Sequence, residues 1–157
     1  MHEPKQQDLR QRGVFQPHAN WKGETTAVVN GKDGTLADAM RASGNVDARI
    51  EINASKVRRP RPIESTFIHE YTHATDVTAG FARSTYNNFF SIYGDVQTAF
   101  RLTVSQFEIN ARQAQINFGL GVSNHRAMLN LWNQVLIDGP AGKWDAWDRA
   151  RKGIIIK

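Results

Sequence analysis

Hydrophobic positions recur with a period of two early in the chain and, from about residue 62 onward, with a period near 3.6. Thr25-Thr26-Ala27-Val28-Val29 is β-branched and ends at the turn formers Asn30-Gly31-Lys32-Asp33-Gly34, so a short strand is expected over 25–29. Thr35 can cap a helix to about Ser43 built on Leu36, Met40 and small alanines, closed by Gly44-Asn45. Ala48-Arg49-Ile50-Glu51-Ile52-Asn53 alternates, which predicts a strand with Ile50 and Ile52 inward and Arg49, Glu51 and Asn53 outward. Pro62 then opens a helix that stops at Gly80, with Phe67, Ile68, Tyr71, Ala74 and Val77 as its apolar face. The aromatic segment 81–94 reads as a loop or short helix lying over that element. Asp95 caps a long helix to about Phe118, with Val96, Ala99, Phe100, Thr103, Phe107, Ala111 and Ala114 in one stripe. A further helix runs from Ser123 or Asn124 to about Ile137, and a short one carries Trp144 and Trp147. Strands first and helices after predict one α+β domain over 1–157, with a small sheet and an irregular arm over 1–22.

The helix after Pro62 carries His69-Glu70-Tyr71-Thr72-His73, an H-E-x-x-H pattern. Residues four apart on a helix share a face, so the two imidazoles can reach one zinc ion while the Glu70 carboxylate lies beside it. With five His and six Glu in 157 residues, chance would place this pattern in about 0.6% of such chains, so accident is a weak competitor.

A catalytic zinc takes three protein ligands and keeps one position open. The chain has no cysteine, which leaves imidazole and carboxylate. Glu108 is the leading third ligand. It is the last Glu in the chain, near the middle of the long helix, with Ala111 and Ala114 allowing close approach. Asp76 and Asp95 compete. Asp76, three residues past His73, better suits an acceptor for an imidazole N–H, and Asp95 an N-cap.

With these residues in place the chain resembles the zincin metallopeptidases, in particular the gluzincin branch, whose third ligand is a Glu on a later helix. The short interval from His73 to Glu108 resembles compact single-domain members, among them metallopeptidase toxin domains of bacterial secretion effectors. The resemblance spans about residues 48–115. It implies one Zn2+ held by His69, His73 and Glu108, and peptide-bond hydrolysis by an activated water. Glu70 would be the general base that passes the proton to the leaving amine. An oxyanion donor is also required, with Tyr93, Tyr86, His125 and Arg112 as candidates and Tyr93 taken first. The strand before the metal helix would offer its edge to an extended peptide. The resemblance further implies a delivered or secreted effector, a protein or peptide substrate, and an immunity or inhibitor protein as partner. Two departures stand out. The metzincin extension after His73 is missing, and Arg112 occupies the position four after Glu108 where some gluzincins have Asp.

Composition narrows the remaining classes. Hydrophobic content of 40% with 22% charged residues is that of a globular chain. No apolar run of membrane-spanning length occurs, and the N-terminal residues lack the apolar core of a signal peptide. The net charge of +5 would suit an anionic envelope polymer, so hydrolysis of cell-wall amide bonds is the alternative activity. The rival from another class is a non-catalytic basic binding module using Trp144, Trp147 and the Lys56–Arg61 connector. Basic and aromatic residues do not interleave, which weighs against nucleic acid.

Overall fold

The computed structural model describes residues 22–53, 59–119 and 121–153. The irregular arm up to residue 21, the first half of the basic connector (56–58) and residues 154–157 fall outside the described residues, while Arg59 to Arg61 belong to the start of a helix.

The fold is α+β, with a three-stranded antiparallel sheet followed by helices. Strands β1 (Gly23–Val29), β2 (Lys32–Gly34) and β3 (Val46–Ile52) lie in the order β2-β1-β3. The expected turn at 30–34 is tighter than the sequence suggested. Asn30 and Gly31 alone, at φ of 53° and 76°, make a two-residue hairpin, and Lys32–Gly34 pairs back as β2. Two successive positive φ angles match the right-handed twist of the flanking strands, and Asn-Gly is the pair that adopts them most readily. Helix α1 (Leu36–Arg41) follows, with Thr35 accepting from the Asp38 N–H and Asp38 accepting from the Thr35 N–H.

β3 is an edge strand and pairs only with β1 among the described residues. The alternation expected of it is blurred, because its residues on both faces are half-buried. Arg49, on the face read as outward, forms ion pairs with Asp33 at 2.8 Å and Glu51 at 2.8 Å.

The metal-motif helix, α2 (Pro60–Thr78), begins two residues before Pro62, with both prolines in its first turn, where a missing N–H costs nothing. Its buried side matches the apolar face read from the sequence only in part, at Val77 and the half-buried Ile68 and Ala74. Thr66, His69, Glu70 and Val77 are buried, whereas Phe67 and Tyr71 are 47% and 58% exposed and stack on each other in solvent. The segment read as a loop or short helix is a thirteen-residue helix, α3 (Phe81–Tyr93), between Gly80 and Gly94, both in the left-handed region. Burial of Ala82 and Tyr86 holds it in place.

Helix α4 (Val96–Asn117) is the central element. Asp95 caps it by accepting from the Thr98 N–H at 2.7 Å. It has more than one buried stripe: Leu102, Thr103, Val104 and Ser105 are all buried, because α2, α3 and α5 (Val122–Asp138) surround it. Below it, Trp132 packs edge-on against Trp147 of α6 (Asp145–Ala150), ring centroids 5.9 Å apart, with Trp132 fully buried. Among the described residues no helix is long and apolar enough to cross a membrane.

One close approach seats the sheet on α2. A Cβ placed on Gly23 would meet Thr66 Cγ2 at 2.6 Å, Glu70 Cγ at 3.0 Å and Ile52 Cδ1 at 3.3 Å. Overpacking of this kind costs about 1–3 kcal/mol, so Gly23→Ala is expected to destabilise the fold by that amount in urea unfolding. An unchanged midpoint would mean that β1 does not press on α2.

Candidate metal centre

α2 and α4 run antiparallel and face each other with polar side chains. At their contact the structure brings together His69, His73 and Glu108. His69 Nε2 lies 3.0 Å from His73 Nε2, His73 Nε2 lies 3.0 Å from Glu108 Oε1, and His69 Nε2 lies 3.4 Å from Glu108 Oε2. Zinc–nitrogen distances of about 2.05 Å in a tetrahedron put ligand atoms about 3.3 Å apart. The donor set and the spacing therefore fit a zinc ion. Glu108 adds a second indication: it is 5% exposed, and its Oε2 is buried with no hydrogen-bond partner.

The electrostatics of the cluster are coupled. Burial works to raise the Glu108 carboxyl, but the neighbouring imidazoles of His69 and His73 outweigh it and hold the group well below the ordinary carboxylate range. Burial likewise works against protonation of His73, yet Glu108, helped by Glu70 and Asp76, holds it above the ordinary imidazole value. Phe107 stacks on the His73 ring at 5.9 Å and Phe81 on Phe107 at 5.9 Å, so α3 braces the site from behind the first layer of side chains.

Glu70 is 7% exposed and is held from the sheet. The Thr25 hydroxyl lies 2.7 Å from Glu70 Oε2 and 2.8 Å from its backbone carbonyl, in donor geometry to both. On the other side Gln115, one helix from the motif, contacts His69 Nδ1 through Oε1 at 3.1 Å. Neither Thr25 nor Gln115 stands out in the sequence. A lone Thr in a strand and a Gln near a helix end carry no motif, and both meet the metal helix only through pairings about 45 residues apart.

The competing acids are accounted for otherwise. Asp76 does not bond an imidazole; it accepts from Asn110 Nδ2 at 3.1 Å, and His73 Nδ1 is buried without a hydrogen bond. Burial raises the Asp76 carboxyl. Asp95 is the N-cap of α4.

Of the four oxyanion candidates, the structure does not bring Tyr93 to the cluster. A Cβ on Gly139 would sit 3.9 Å from its hydroxyl, at the end of α4 remote from Glu108. From Val96 to Glu108 is about 18 Å of helix. Tyr86 is buried against Phe90 in the core. Arg112 and His125 are close to the site. Arg112 Nη1 donates to His125 Nδ1 at 3.0 Å, and the guanidinium feels the charges of Glu108 and Glu70 without forming an ion pair with either.

No protein-family model, curated protein or solved structure matches the chain. The site has to be read from its own geometry.

Burial first, and the Arg112 charge second, push His125 down to about 4 from an ordinary 6.5. An imidazole kept neutral in the fold but free to protonate when unfolded gives stability that is full above the ordinary value. That stability is lost as pH falls toward the folded one. Urea unfolding between about pH 4 and pH 7 should therefore show a shallower acid loss for His125→Gln than for wild type. Equal slopes would contradict a His125 held neutral by burial and the Arg112 charge.

Proposed function

We propose that the chain is a zinc-dependent metallopeptidase of the gluzincin kind. The observation that carries this reading is the convergence of His69 Nε2, His73 Nε2 and the Glu108 carboxylate from two facing helices, with the buried Glu70 one residue from the first histidine. His69, His73 and Glu108 would hold the ion, and Glu70, a carboxylate beside it, would be the base. Zinc supplies Lewis acidity toward a carbonyl oxygen and toward water.

The chain's own groups then divide the work. Thr25 engages Glu70 Oε2, which leaves Oε1 to accept a proton from the attacking water and deliver it to the leaving amine. Arg112, rather than Tyr93, is the cation close enough to favour negative charge developing on the substrate, with His125 fixing its guanidinium. The side of β3 that pairs with no strand among the described residues would offer backbone groups to an extended peptide, so the substrate class we favour is a protein or an unfolded peptide segment.

The charge of +5 favours one second reading, hydrolysis of amide bonds in an anionic cell-wall polymer, by the same residues. A basic binding module is less well supported. Trp147 is 4% exposed and Arg101 covers Trp144 at 4.8 Å, so neither ring is free to stack on a base. The setting of a delivered bacterial effector with an immunity partner rests on the resemblance alone.

The test is hydrolysis of a peptide library, and in parallel of cell-wall fragments, by the zinc-loaded protein and by Glu70→Gln. Loss of a general base lowers the rate by about 10²–10⁴-fold, and the variant should keep its zinc. Undiminished hydrolysis by Glu70→Gln would overturn the assignment, as would a zinc-loaded wild type inert toward both substrates.

A further inference from the structure

The hydrogen bonds behind His69 form a chain whose direction is fixed at both ends. Arg112 can only donate, so His125 Nδ1 must accept from it at 3.0 Å. A neutral His125 then carries its proton on Nε2, which donates to Ser65 Oγ at 3.1 Å. At the other end the Ser65 backbone carbonyl can only accept. Gln115 Nε2 lies 2.8 Å from that carbonyl and 2.9 Å from Ser65 Oγ, so this atom of the Gln115 amide must be its NH2. The amide oxygen therefore faces His69, and His69 Nδ1, 3.1 Å away, must be the protonated nitrogen. The Nε2 atom of a neutral His69 is left with its lone pair, pointing toward His73 and Glu108.

We propose that Gln115 is the positioning residue of the metal centre. It selects the Nδ1–H tautomer of His69, the Ser65 carbonyl holds its amide the right way round, and His125 and Arg112 buttress Ser65 from behind. The inference rests on the metal-site reading above for its purpose, though not for its geometry. It also fills the place left open by the missing acid four residues after Glu108. A neutral amide seven residues on, rather than a carboxylate, orients the imidazole. Gln115 is 3% exposed and Ser65 lies on α2 itself, so the clamp ties the first turns of the metal helix to the last turns of α4. Helix α5 joins it through His125.

The experiment is long-range 1H–15N correlation spectroscopy of the metal-free protein at about pH 8, where ordinary imidazoles are neutral. Zinc affinity by chelator competition is measured alongside. Wild type should show His69 as the Nδ1–H tautomer. Gln115→Met, similar in shape but without the amide, should give a mixture of tautomers and bind zinc about 10–100-fold more weakly. Gln115→Glu, which can still accept from Nδ1–H, should restore the tautomer. An Nε2–H tautomer in wild type would overturn the proposal, as would a tautomer unchanged in Gln115→Met. The wild-type spectrum alone distinguishes the two tautomers, even if a variant fails to fold. Wild-type protein that shows the Nδ1–H tautomer but takes up no zinc would uphold the clamp and sink the metal-site reading instead.

Discussion

The structure turns on a carboxylate buried where two helices meet. Glu108 is 5% exposed, and its ion-pair partners among the described residues are two imidazoles. An ionised carboxylate taken out of water without compensation costs several kcal/mol. The His73 nitrogen, 3.0 Å from Glu108 Oε1, offsets this cost, which ties the register of α2 to α4. Polar contacts on either side serve that register. Ser65 with Gln115 clamps one end of the helix contact and Asp76 with Asn110 the other.

The rest of the molecule follows from keeping that contact rigid and partly dry. The sheet lies on α2 through Gly23 and holds Glu70 through Thr25, so the strands both cover the metal helix and orient its carboxylate. Phe107, beside Glu108 in sequence, carries the packing from His73 to Phe81 and so to α3. The pair Trp132 and Trp147 anchors α5, whose other end presents His125 to Arg112. A site whose side chains are held by neighbours on four elements is preorganised, which is what the proposed metallopeptidase reading requires of it.

What can be read from the sequence divides by range. His69, Glu70 and His73 are legible because helical spacing is a local rule, and Asp95 and Thr35 because capping is one too. Glu108 is reachable by elimination among acids. The buried face of α2 is not, because the local rule conflicts there with the global one: Phe67 and Tyr71 are apolar yet exposed, while Thr66, His69 and Glu70 are polar yet buried. Such reversals are expected where a functional site overrides hydrophobic patterning. Thr25, Gln115 and the Arg112–His125 pair are out of reach as a set, since each depends on which elements meet across the fold. In sequence Arg112 is a departure from a family pattern. In the structure it donates to His125, at the far end of the hydrogen bonds behind His69.

The measurement that tests the central claim most directly is zinc stoichiometry and affinity for wild type beside Glu108→Ala, in buffers first stripped of metal. One zinc per chain is expected in wild type and at least about a 10²-fold weaker site in the variant, since a ligand rather than an outer partner is removed. Zinc held equally tightly by both would contradict the assignment of Glu108. A wild-type chain that takes up no zinc when it is supplied would contradict the metal-centre reading as a whole.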